Sequence, residues 1–378
     1  MAKKRGNGEG SIYQRKDGRW VGHYTVHTAK GPKYCYIYGK TRKEVAEKLT
    51  KRIADRDSGL IFDAGKMTLG EYLDRWLSDS VKGTVRVSTY ERHEAIIRLH
   101  IKPSIGRVGL KKLTPAHVRS LYREKLNSGL LAPATVRKIH STLHKALSQA
   151  VADGLIPRNA AEVKAPRPAP DEMRPLSEAE ARTFLDAARV AEDRFEALYV
   201  LAITTGLRRG ELLGLRWDDA DLDRGTLRVG RALVREGGRW VVGETKTKRG
   251  RRRVNLTPRT VAALKAHRKR QLEQRVRLAG LYEDQGLIFA SENGTPLNPE
   301  NLVKRSFKPL LKRAGLPEIR FHDLRHTCAT LLLGRGVHPK IVQELLGHAT
   351  IAMTLDTYSH YLPSMGDQAS GAMGDAFG

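Results

Sequence analysis

The chain has 378 residues, too many for one ordinary domain and about right for two or three. Its 68 lysines and arginines outnumber its 41 aspartates and glutamates, and the formal net charge of +27 predicts a polyanionic partner, most commonly nucleic acid. No apolar run is long enough to span a bilayer, the basic start of the chain lacks the apolar core of a secretory signal, and two cysteines without metal-type spacing indicate a reduced, cytoplasmic protein.

The first part of the chain, residues 1–62, is predicted to be a small α+β module. Lys16-Asp17-Gly18 and Lys30-Gly31-Pro32 have the composition of turns. The segments around them are rich in β-branched and aromatic residues, so three short strands are expected. A capping box at Thr41–Glu44 then predicts a helix that ends near Asp57.

Basic and aromatic side chains in this module suit a DNA-binding surface. Basic residues on strand edges can contact the phosphates of a DNA groove, and we assign this role to Arg15, Lys16 and Arg19. Three alternating tyrosines of the third strand either support that contact or pack together as one face of the sheet, and the sequence leaves both open. These tyrosines are Tyr34, Tyr36 and Tyr38.

Residues 66–157 are predicted to be almost entirely helical. A capping box at Thr68–Glu71 and the pair Thr114-Pro115 mark helix starts, and apolar residues recur at helical spacing along the segment. The remaining faces carry basic residues that suit duplex backbone, of which we assign Arg137 and Lys138 to DNA contact. Closely spaced prolines in the next stretch exclude a helix or a central strand, so residues 158–175 are predicted to be a semi-extended linker.

The last part, residues 176–378, is predicted to be a mixed, mainly α domain with a small β-sheet. An apolar run at 196–205 ends at Gly206, where glycine permits a sharp bend. Arg208 follows at once, so the backbone of the turn holds it, which suits a bidentate contact to a phosphate. Glu211 and several leucines belong to the helix that we expect next.

A strongly basic segment follows two strand-like stretches. Trp240-Val241-Val242 alternates as a strand, and residues 245–254 add a threonine–lysine repeat and a run of arginines. This pattern predicts a β-hairpin with a basic tip. Lys248 and Arg249 are expected to contact DNA there, although a surface patch that binds phosphates only loosely would have the same composition.

Two further motifs lie near the end of the chain. In a helix, the stretch Phe-His-Asp-Leu-Arg-His places His322, Arg325 and His326 on one face, because residues three and four apart are neighbours. A permanently charged arginine fork and imidazoles that exchange protons near neutral pH suit a phosphate-handling site. His348 then follows a Leu-Gly pair, and Tyr358 lies within Asp-Thr-Tyr-Ser-His.

Taken in this order, these motifs resemble the signature of the tyrosine recombinases, the lambda-integrase family. The resemblance covers nearly the whole chain, with specific motifs in residues 200–361 and weak ones before residue 65. It implies an arm-site DNA-binding domain at 1–62, a helical core-binding domain at 66–157, and a catalytic domain at 176–378 that ends in a tail. The implied fold class is multidomain and mainly α.

The resemblance also implies an activity. Such enzymes cut and rejoin DNA through a 3′-phosphotyrosyl intermediate and a Holliday junction, and thereby integrate or excise a phage or other mobile element. Tyr358 would attack the phosphodiester, while Arg208 and Arg325 would hold its non-bridging oxygens by preorganised electrostatics. His322 would accept the phenol proton, and His348 would hydrogen-bond a non-bridging oxygen.

The remaining roles concern the leaving group and the support of the site. The resemblance assigns Lys246 as the acid for the leaving 5′-oxygen, with Lys248 as the alternative because the register of the basic segment cannot be read from sequence. Glu211 would orient the site without reacting. Since the phosphotyrosyl link conserves the energy of the broken bond, the resemblance implies no metal, ATP or other cofactor.

Three other functions remain alternatives on the sequence. A type IB topoisomerase shares this chemistry and relaxes DNA without exchanging strands. A site-specific DNA-binding regulator would use the same basic surfaces without catalysis. A zinc hydrolase would use His322 and His326, which stand four residues apart, but that motif has glutamate where Asp323 stands.

Partners follow from the resemblance as well. It implies double-stranded DNA with core-type and arm-type attachment sites, and a homotetramer of the chain on that DNA. A host DNA-bending protein and an excisionase-like directionality factor are further partners that the sequence leaves open. The expected location is the cytoplasm of a bacterial host cell, with no membrane contact.

Overall fold

The computed structural model describes residues 10–28, 31–57, 67–168, 173–244, 251–359 and 373–377. The chain divides into two compact units, residues 1–170 and 171–378. Helices dominate both, with small sheets beside them, as the predicted fold class requires. Within the described ranges, no helix combines the length and the apolar character needed to cross a bilayer.

The first unit begins with a three-stranded antiparallel sheet and a helix, which confirms the predicted elements. Its elements are β1 (Ser11–Gln14), β2 (Trp20–Thr28), β3 (Gly31–Gly39) and α1 (Arg42–Asp57). The turn between β1 and β2 needs Gly18 because its φ is 78°. Val45 and Leu49 of α1 are fully buried, so the helix covers one face of the sheet.

The side chains expected to bind DNA lie differently from the prediction. The basic residues are exposed in the β1–β2 turn instead of on strand edges, because β1 ends at Gln14 and β2 begins only at Trp20. The three tyrosines of β3 lie on one face of the sheet and are each more than half exposed, and the rings of Tyr34 and Tyr36 contact that of His23, so both alternatives for these side chains stay open. Cys35 and Ile37, which alternate with them, are partly buried, as expected for the side that faces α1.

The rest of the first unit is a helical bundle, as predicted. Its helices are α2 (Leu69–Trp76), α3 (Val87–Ile96), α4 (Lys102–Ile105), α5 (Pro115–Asn127) and α6 (Pro133–Ala152). The capping box at Thr68–Glu71 begins α2, and Thr114 is the N-cap of α5, with proline in its first turn. The apolar faces form one buried core. Arg137 and Lys138 are exposed on α6.

The second unit is also mainly helical. Its helices are α7 (Glu178–Val190), α8 (Glu196–Thr205), α9 (Arg209–Leu213), α10 (Pro258–Leu278), α11 (Pro299–Leu302), α12 (Lys308–Arg313), α13 (Asp323–Gly334), α14 (Pro339–Leu346) and α15 (Ile351–Tyr358). Helix α8 is apolar on all sides and packs against α7, α10 and α13, so it lies at the centre of the core. The core therefore fixes the position of the C-terminal end of α8, and the first residues of the functional site follow directly after it.

Two small sheets flank this core, and they correct the predicted hairpin. The strands are β4 (Ala220–Asp221), β5 (Thr226–Val229), β6 (Arg231–Glu236), β7 (Arg239–Glu244) and β8 (Arg252–Asn255). β7 pairs with β6 across Gly237-Gly238, whose φ angles of 57° and 79° suit a tight hairpin turn. β8 pairs with β5 instead. The basic segment thus connects two sheets, and residues 245–250 lie outside the described part of the chain.

Candidate active site

The bend at the end of α8 places the first site residue. Gly206 has a φ of 62°, where any other residue would be strained, and a Cβ there would lie 2.4 Å from Leu346 Cδ2 and displace that side chain, so glycine suits this turn. Arg208 follows as the N-cap of α9. The predicted bend is confirmed, and the turn connects the core helix directly to the guanidinium.

Glu211 joins two arginines below this turn. Arg208 Nη1 donates to Glu211 Oε1 at 2.8 Å, and Arg252 Nη2 donates to Oε2 at 3.0 Å. Burial alone would raise the pKa of Glu211, but Arg252 and then Arg208 outweigh it, and the pKa is lowered. Glu211 is therefore ionised at neutral pH and fixes both guanidinium groups.

The guanidinium of Arg208 remains open to a ligand. Its Nη2 donates to the carbonyl of Gly347 at 3.3 Å, yet 41% of the side chain is exposed. An arginine fork that is fixed by Glu211 on one side and accessible on the other can bind an anion without first losing much conformational freedom.

Arg325 is the buried counterpart of Arg208. The residue is only 3% exposed, and its Nη1 donates to the carbonyl of Gly206 at 2.7 Å. Its Nη2 is buried and has no hydrogen-bond partner among the described residues. Burial, followed by the nearby charge of Arg208, lowers the pKa of Arg325 to about 10, so it remains charged at neutral pH. Arg325 therefore has one buried cationic donor that needs an acceptor, and an oxygen atom of an anionic ligand would supply it.

Two histidines of one helix lie beside Arg325. His322 is the exposed N-cap residue of α13, and partial desolvation followed by the charge of Arg325 lowers its pKa. The ring of His326 lies one turn further on, with centroids 5.0 Å apart and ring planes nearly perpendicular. The shared helix face that the sequence predicted is therefore present.

His348 is fixed by the loop between α14 and α15. Gly347 ends α14 with a φ of 68°, and His348 Nδ1 then lies 2.9 Å from the hydroxyl of Thr354. Burial, followed by the charges of Arg325 and Arg208, lowers the pKa of His348 to about 4. The ring is thus neutral at pH 7, and in the tautomer in which Thr354 donates to Nδ1, the proton of the ring is on Nε2.

Tyr358 ends α15 in a buried position. The residue is 1% exposed and belongs to an apolar cluster formed by α13, α14 and α15. Its hydroxyl lies 2.6 Å from Nδ1 of His326, and its ring is parallel to that of His348, with centroids 6.4 Å apart. Burial raises the pKa of Tyr358 to about 12, although Arg325 acts in the opposite direction. The phenol is therefore protonated in this structure.

Comparisons with known proteins agree with this geometry. The profile of the phage integrase family matches residues 174–365, and that of the N-terminal SAM-like domain of phage integrases matches residues 68–126. A tyrosine recombinase XerC-like protein of Caldanaerobacter subterraneus subsp. tengcongensis is 32% identical over 90% of this chain and 91% of its own length. The chain belongs to the phage integrase family. It is a tyrosine recombinase, as its motifs predicted.

Solved structures of integrases share the fold. The Tn1549 transposon integrase, solved in complex with a circular intermediate DNA, has a TM-score of 0.69 at 22% identity, covering 82% of this chain and 99% of that one. The lambda integrase tetramer bound to a Holliday junction has a TM-score of 0.57 at 22% identity, covering 94% and 96%. These likenesses confirm the predicted fold class.

The structure brings together only part of the residue set predicted for this recombinase. Within the second unit, one site contains Arg208, Glu211, His322, Arg325, His348 and Tyr358. Three predicted residues, Lys246, Lys248 and Arg249, lie outside the described residues. The other predicted DNA contacts are exposed residues of the first unit, namely Arg15, Lys16, Arg19, Arg137 and Lys138. Their roles stay predictions.

Two side chains in contact with the site were not assigned a role from sequence. Arg252 was one arginine of a basic run, and only the pairing of β8 with β5 turns it inward, where its Nε donates to the carbonyl of Leu345 at 2.7 Å. His326 was placed on the correct helix face, but its contact with Tyr358 depends on how α15 packs on α13. Within the described ranges, no three histidines, cysteines or acidic residues are grouped to hold a metal ion.

The buried histidines predict a loss of stability in mild acid. The folded-state pKa of His326 and of His348 is about 4, below the ordinary 6.5, so the unfolded chain binds protons that the folded protein excludes. Their contribution is complete above pH 6.5 and declines towards pH 4, by roughly 2 kcal/mol per histidine at pH 5. We expect a clear fall in the melting temperature of the protein between pH 7.5 and pH 5.

The matched test replaces each histidine by a residue that does not titrate. His348→Asn should reduce the difference between the melting temperatures at the two pH values, whatever its effect at pH 7.5. Equal melting temperatures of the wild-type protein at pH 7.5 and pH 5 would show that these rings are not held neutral by the fold.

Proposed function

We propose that this tyrosine recombinase is a site-specific integrase that cuts and rejoins DNA through a 3′-phosphotyrosyl intermediate and a Holliday junction, moving a phage or other mobile element. The observation that supports this most directly is the buried guanidinium of Arg325. One of its donors has no partner among the described residues, and the open fork of Arg208 lies in the same site. A phosphodiester would satisfy both.

The two arginines answer the main energetic demand of the reaction. Attack on a phosphodiester develops negative charge on the non-bridging oxygens, and fixed guanidinium groups stabilise that charge without reorganising. Because Glu211 and the carbonyl of Gly206 already orient Arg208 and Arg325, the site is preorganised before DNA arrives. His348, neutral and fixed by Thr354, would donate Nε2–H to one of the same oxygens.

Tyr358 would be the nucleophile, and its burial increases the free energy that the site must supply to remove the phenol proton. A phenol with a pKa of about 10 costs about 4 kcal/mol to ionise at pH 7, and a pKa of about 12 raises that to roughly 7 kcal/mol. Free phenolate is thus negligible in the unbound protein. The proton must leave as the oxygen–phosphorus bond forms, with Arg208 and Arg325 stabilising the developing charge.

The role of Lys246 as acid for the leaving 5′-oxygen can be tested with a modified substrate. Lys246→Ala should cleave normal DNA slowly, about 10² to 10⁴-fold below wild type, and recover on a 5′-bridging phosphorothiolate. The reason is that sulfur leaves without needing a proton. The measurement is the single-turnover cleavage rate on both substrates. Recovery by Lys248→Ala in place of Lys246→Ala would move the role to Lys248.

DNA binding beyond the site would use several basic surfaces. A pocket beside His322 has a mostly basic lining. The acidic residues Glu318 and Asp323 also line it, and its basic side chains are Arg174, Arg209, Lys308 and Arg320. In the first unit, the exposed basic turn and tyrosine face of the sheet suit arm-type sites, and Arg137 and Lys138 on α6 suit core-type sites. We therefore propose an arm-site DNA-binding domain at 1–62, a core-binding domain at 66–157, a linker at 158–175 and a catalytic domain at 176–378.

Assembly and context are part of the same proposal. The lambda integrase is a tetramer on a Holliday junction, and we expect this family member to form a homotetramer on its attachment sites. A host DNA-bending protein and an excisionase-like directionality factor are optional partners in this proposal, and the reaction would take place in the bacterial cytoplasm. A type IB topoisomerase is the alternative activity, and the additional basic module before residue 62 favours an integrase over it.

The function is tested by covalent trapping on a nicked suicide duplex. The duplex carries the DNA sequence at the boundary between the host chromosome and the mobile element that encodes the protein. Cleavage of such a duplex releases a short strand, so the 3′-phosphotyrosyl adduct accumulates. We expect an adduct in buffer that contains a chelator and no ATP. Exchange of strands between two such sites would distinguish an integrase from a topoisomerase.

A further inference from the structure

His326 is within hydrogen-bond distance of the hydroxyl of Tyr358, the proposed nucleophile. Its Nδ1 lies 2.6 Å from the hydroxyl of Tyr358, and the two ring centroids are 5.6 Å apart. The motif comparison assigned proton acceptance to His322 instead. In the part of the chain that the structure describes, the hydrogen bond of the phenol is made to His326, and the ring of His322 lies against that of His326, with centroids 5.0 Å apart.

The three rings form a connected path from the buried phenol to the surface. Tyr358 is buried at one end, His326 is partly buried in the middle, and His322 is exposed at the other end. His322 and His326 are four residues apart on α13, so the helix fixes their separation. Helix α15 brings the phenol to the middle ring, which places His326 between nucleophile and solvent.

We propose that His326, with the ring of His322 packed against it, accepts the proton of Tyr358 during attack on DNA. This deepens the proposed function and rests on it. As the bond between Tyr358 oxygen and phosphorus forms, the O–H bond breaks and its proton passes to Nδ1. The phosphorus–O5′ bond breaks at the other side and takes its proton from a separate acid. On rejoining, the imidazolium returns its proton to the phenolic oxygen.

The protonation states of the free protein agree with this sequence of events. Burial, followed by the interaction with His322, lowers the pKa of His326 to about 4, so the ring is neutral at pH 7, and its Nδ1 has the lone pair when the phenol donates to it. With the pKa of Tyr358 near 12, the proton stays on the oxygen until phosphorus begins to bond to it. The nucleophile is therefore inert without DNA and is paired with its acceptor in advance.

An isosteric substitution separates proton acceptance from positioning. In His326→Asn, the amide oxygen can occupy the place of Nδ1 and accept the same hydrogen bond, but it cannot take a proton. We expect His326→Asn and His326→Ala to slow single-turnover adduct formation to a similar degree, by about 10² to 10⁴-fold. Added imidazole should partly restore His326→Ala. His338→Asn, which makes the same change at an exposed helix cap, should react at the wild-type rate.

The substrate identifies which proton is affected. On the 5′-bridging phosphorothiolate, His326→Asn should remain slow, because the missing group serves the nucleophile and not the leaving group. A rate for His326→Asn within about threefold of wild type would overturn the proposal, as would recovery on the phosphorothiolate. DNA binding and the melting temperature of each variant are measured in parallel. If the wild-type protein formed no adduct on the nicked duplex, that result would instead contradict the proposed function itself.

Discussion

Tyr358→Phe should form no covalent adduct on a nicked suicide duplex, while binding that duplex as tightly as the wild-type protein does. The substitution removes the attacking oxygen and keeps the buried ring in its apolar cluster. We expect adduct formation to fall by at least about 10⁴-fold, since loss of a nucleophile removes the covalent route altogether. The measurement is adduct yield by denaturing gel beside DNA binding by mobility shift.

Folding is the first control for this variant. The lost hydroxyl leaves Nδ1 of His326 without that hydrogen bond, which costs about 1 kcal/mol, so the melting temperature should shift by only a few degrees. Tyr361→Phe is the matched substitution, at the second tyrosine of the same segment, which lies outside the described residues. It should still form the adduct. Adduct formation by Tyr358→Phe but not by Tyr361→Phe would exchange the two assignments.

Arg325→Lys should reduce adduct formation by about 10² to 10³-fold, the usual loss when one donor to a developing oxyanion is removed. Lysine keeps the charge, but all its donors are on one nitrogen, so it cannot bond the carbonyl of Gly206 and the phosphate from two separate nitrogens as the guanidinium fork does. The defect should appear in the rate of the chemical step, measured with DNA in excess, more than in DNA affinity.

The control for Arg325→Lys lies at the end of the same helix. Arg335 is exposed and pairs with Glu178 at 2.8 Å, so Arg335→Lys makes the same chemical change outside the site and should react normally. Equal rates for Arg325→Lys and wild type would mean that Nη2 of Arg325 does not bind the phosphate. Arg325→Ala is expected to lose more, including stability, because it removes the contact with Gly206 altogether.

Local signals made much of the fold readable from sequence. Gly206 ends α8 in the left-handed conformation, and that single constraint places Arg208 whatever the surroundings. The capping box at Thr68–Glu71 begins α2, and Gly347 ends α14. Such features depend on a few neighbouring residues, so the sequence contains the information needed to predict them.

The errors arose where partners are distant in the chain. Gly237-Gly238 is a tight-turn signal between β6 and β7. The predicted hairpin did not use this signal and paired β7 with the basic segment instead. Residues 252–255 pair with β5 across a separation that no local pattern encodes. The inward position of Arg252 is a consequence of that register, so a run of arginines predicted charge but not its contact with Glu211.

The site was predictable as a set of residues but not as a network. The motifs named both arginines, two histidines and the tyrosine, since their order along the chain resembles the recombinase signature. The hydrogen bond between His326 and Tyr358 spans 32 residues and depends on the packing of α15 against α13. Sequence alone therefore favoured His322 as the proton acceptor, whereas the geometry favours its neighbour one turn along the helix.

The measurement that tests the central claim most directly is the position of the covalent bond between protein and DNA. The adduct trapped on a nicked suicide duplex is digested with protease and nuclease, and the modified peptide is sequenced by mass spectrometry. We expect the nucleotide on Tyr358, joined through a 3′-phosphate, with a free 5′-hydroxyl on the released strand. A nucleotide on any other residue, or a 5′-phosphate link to the protein, would contradict the account.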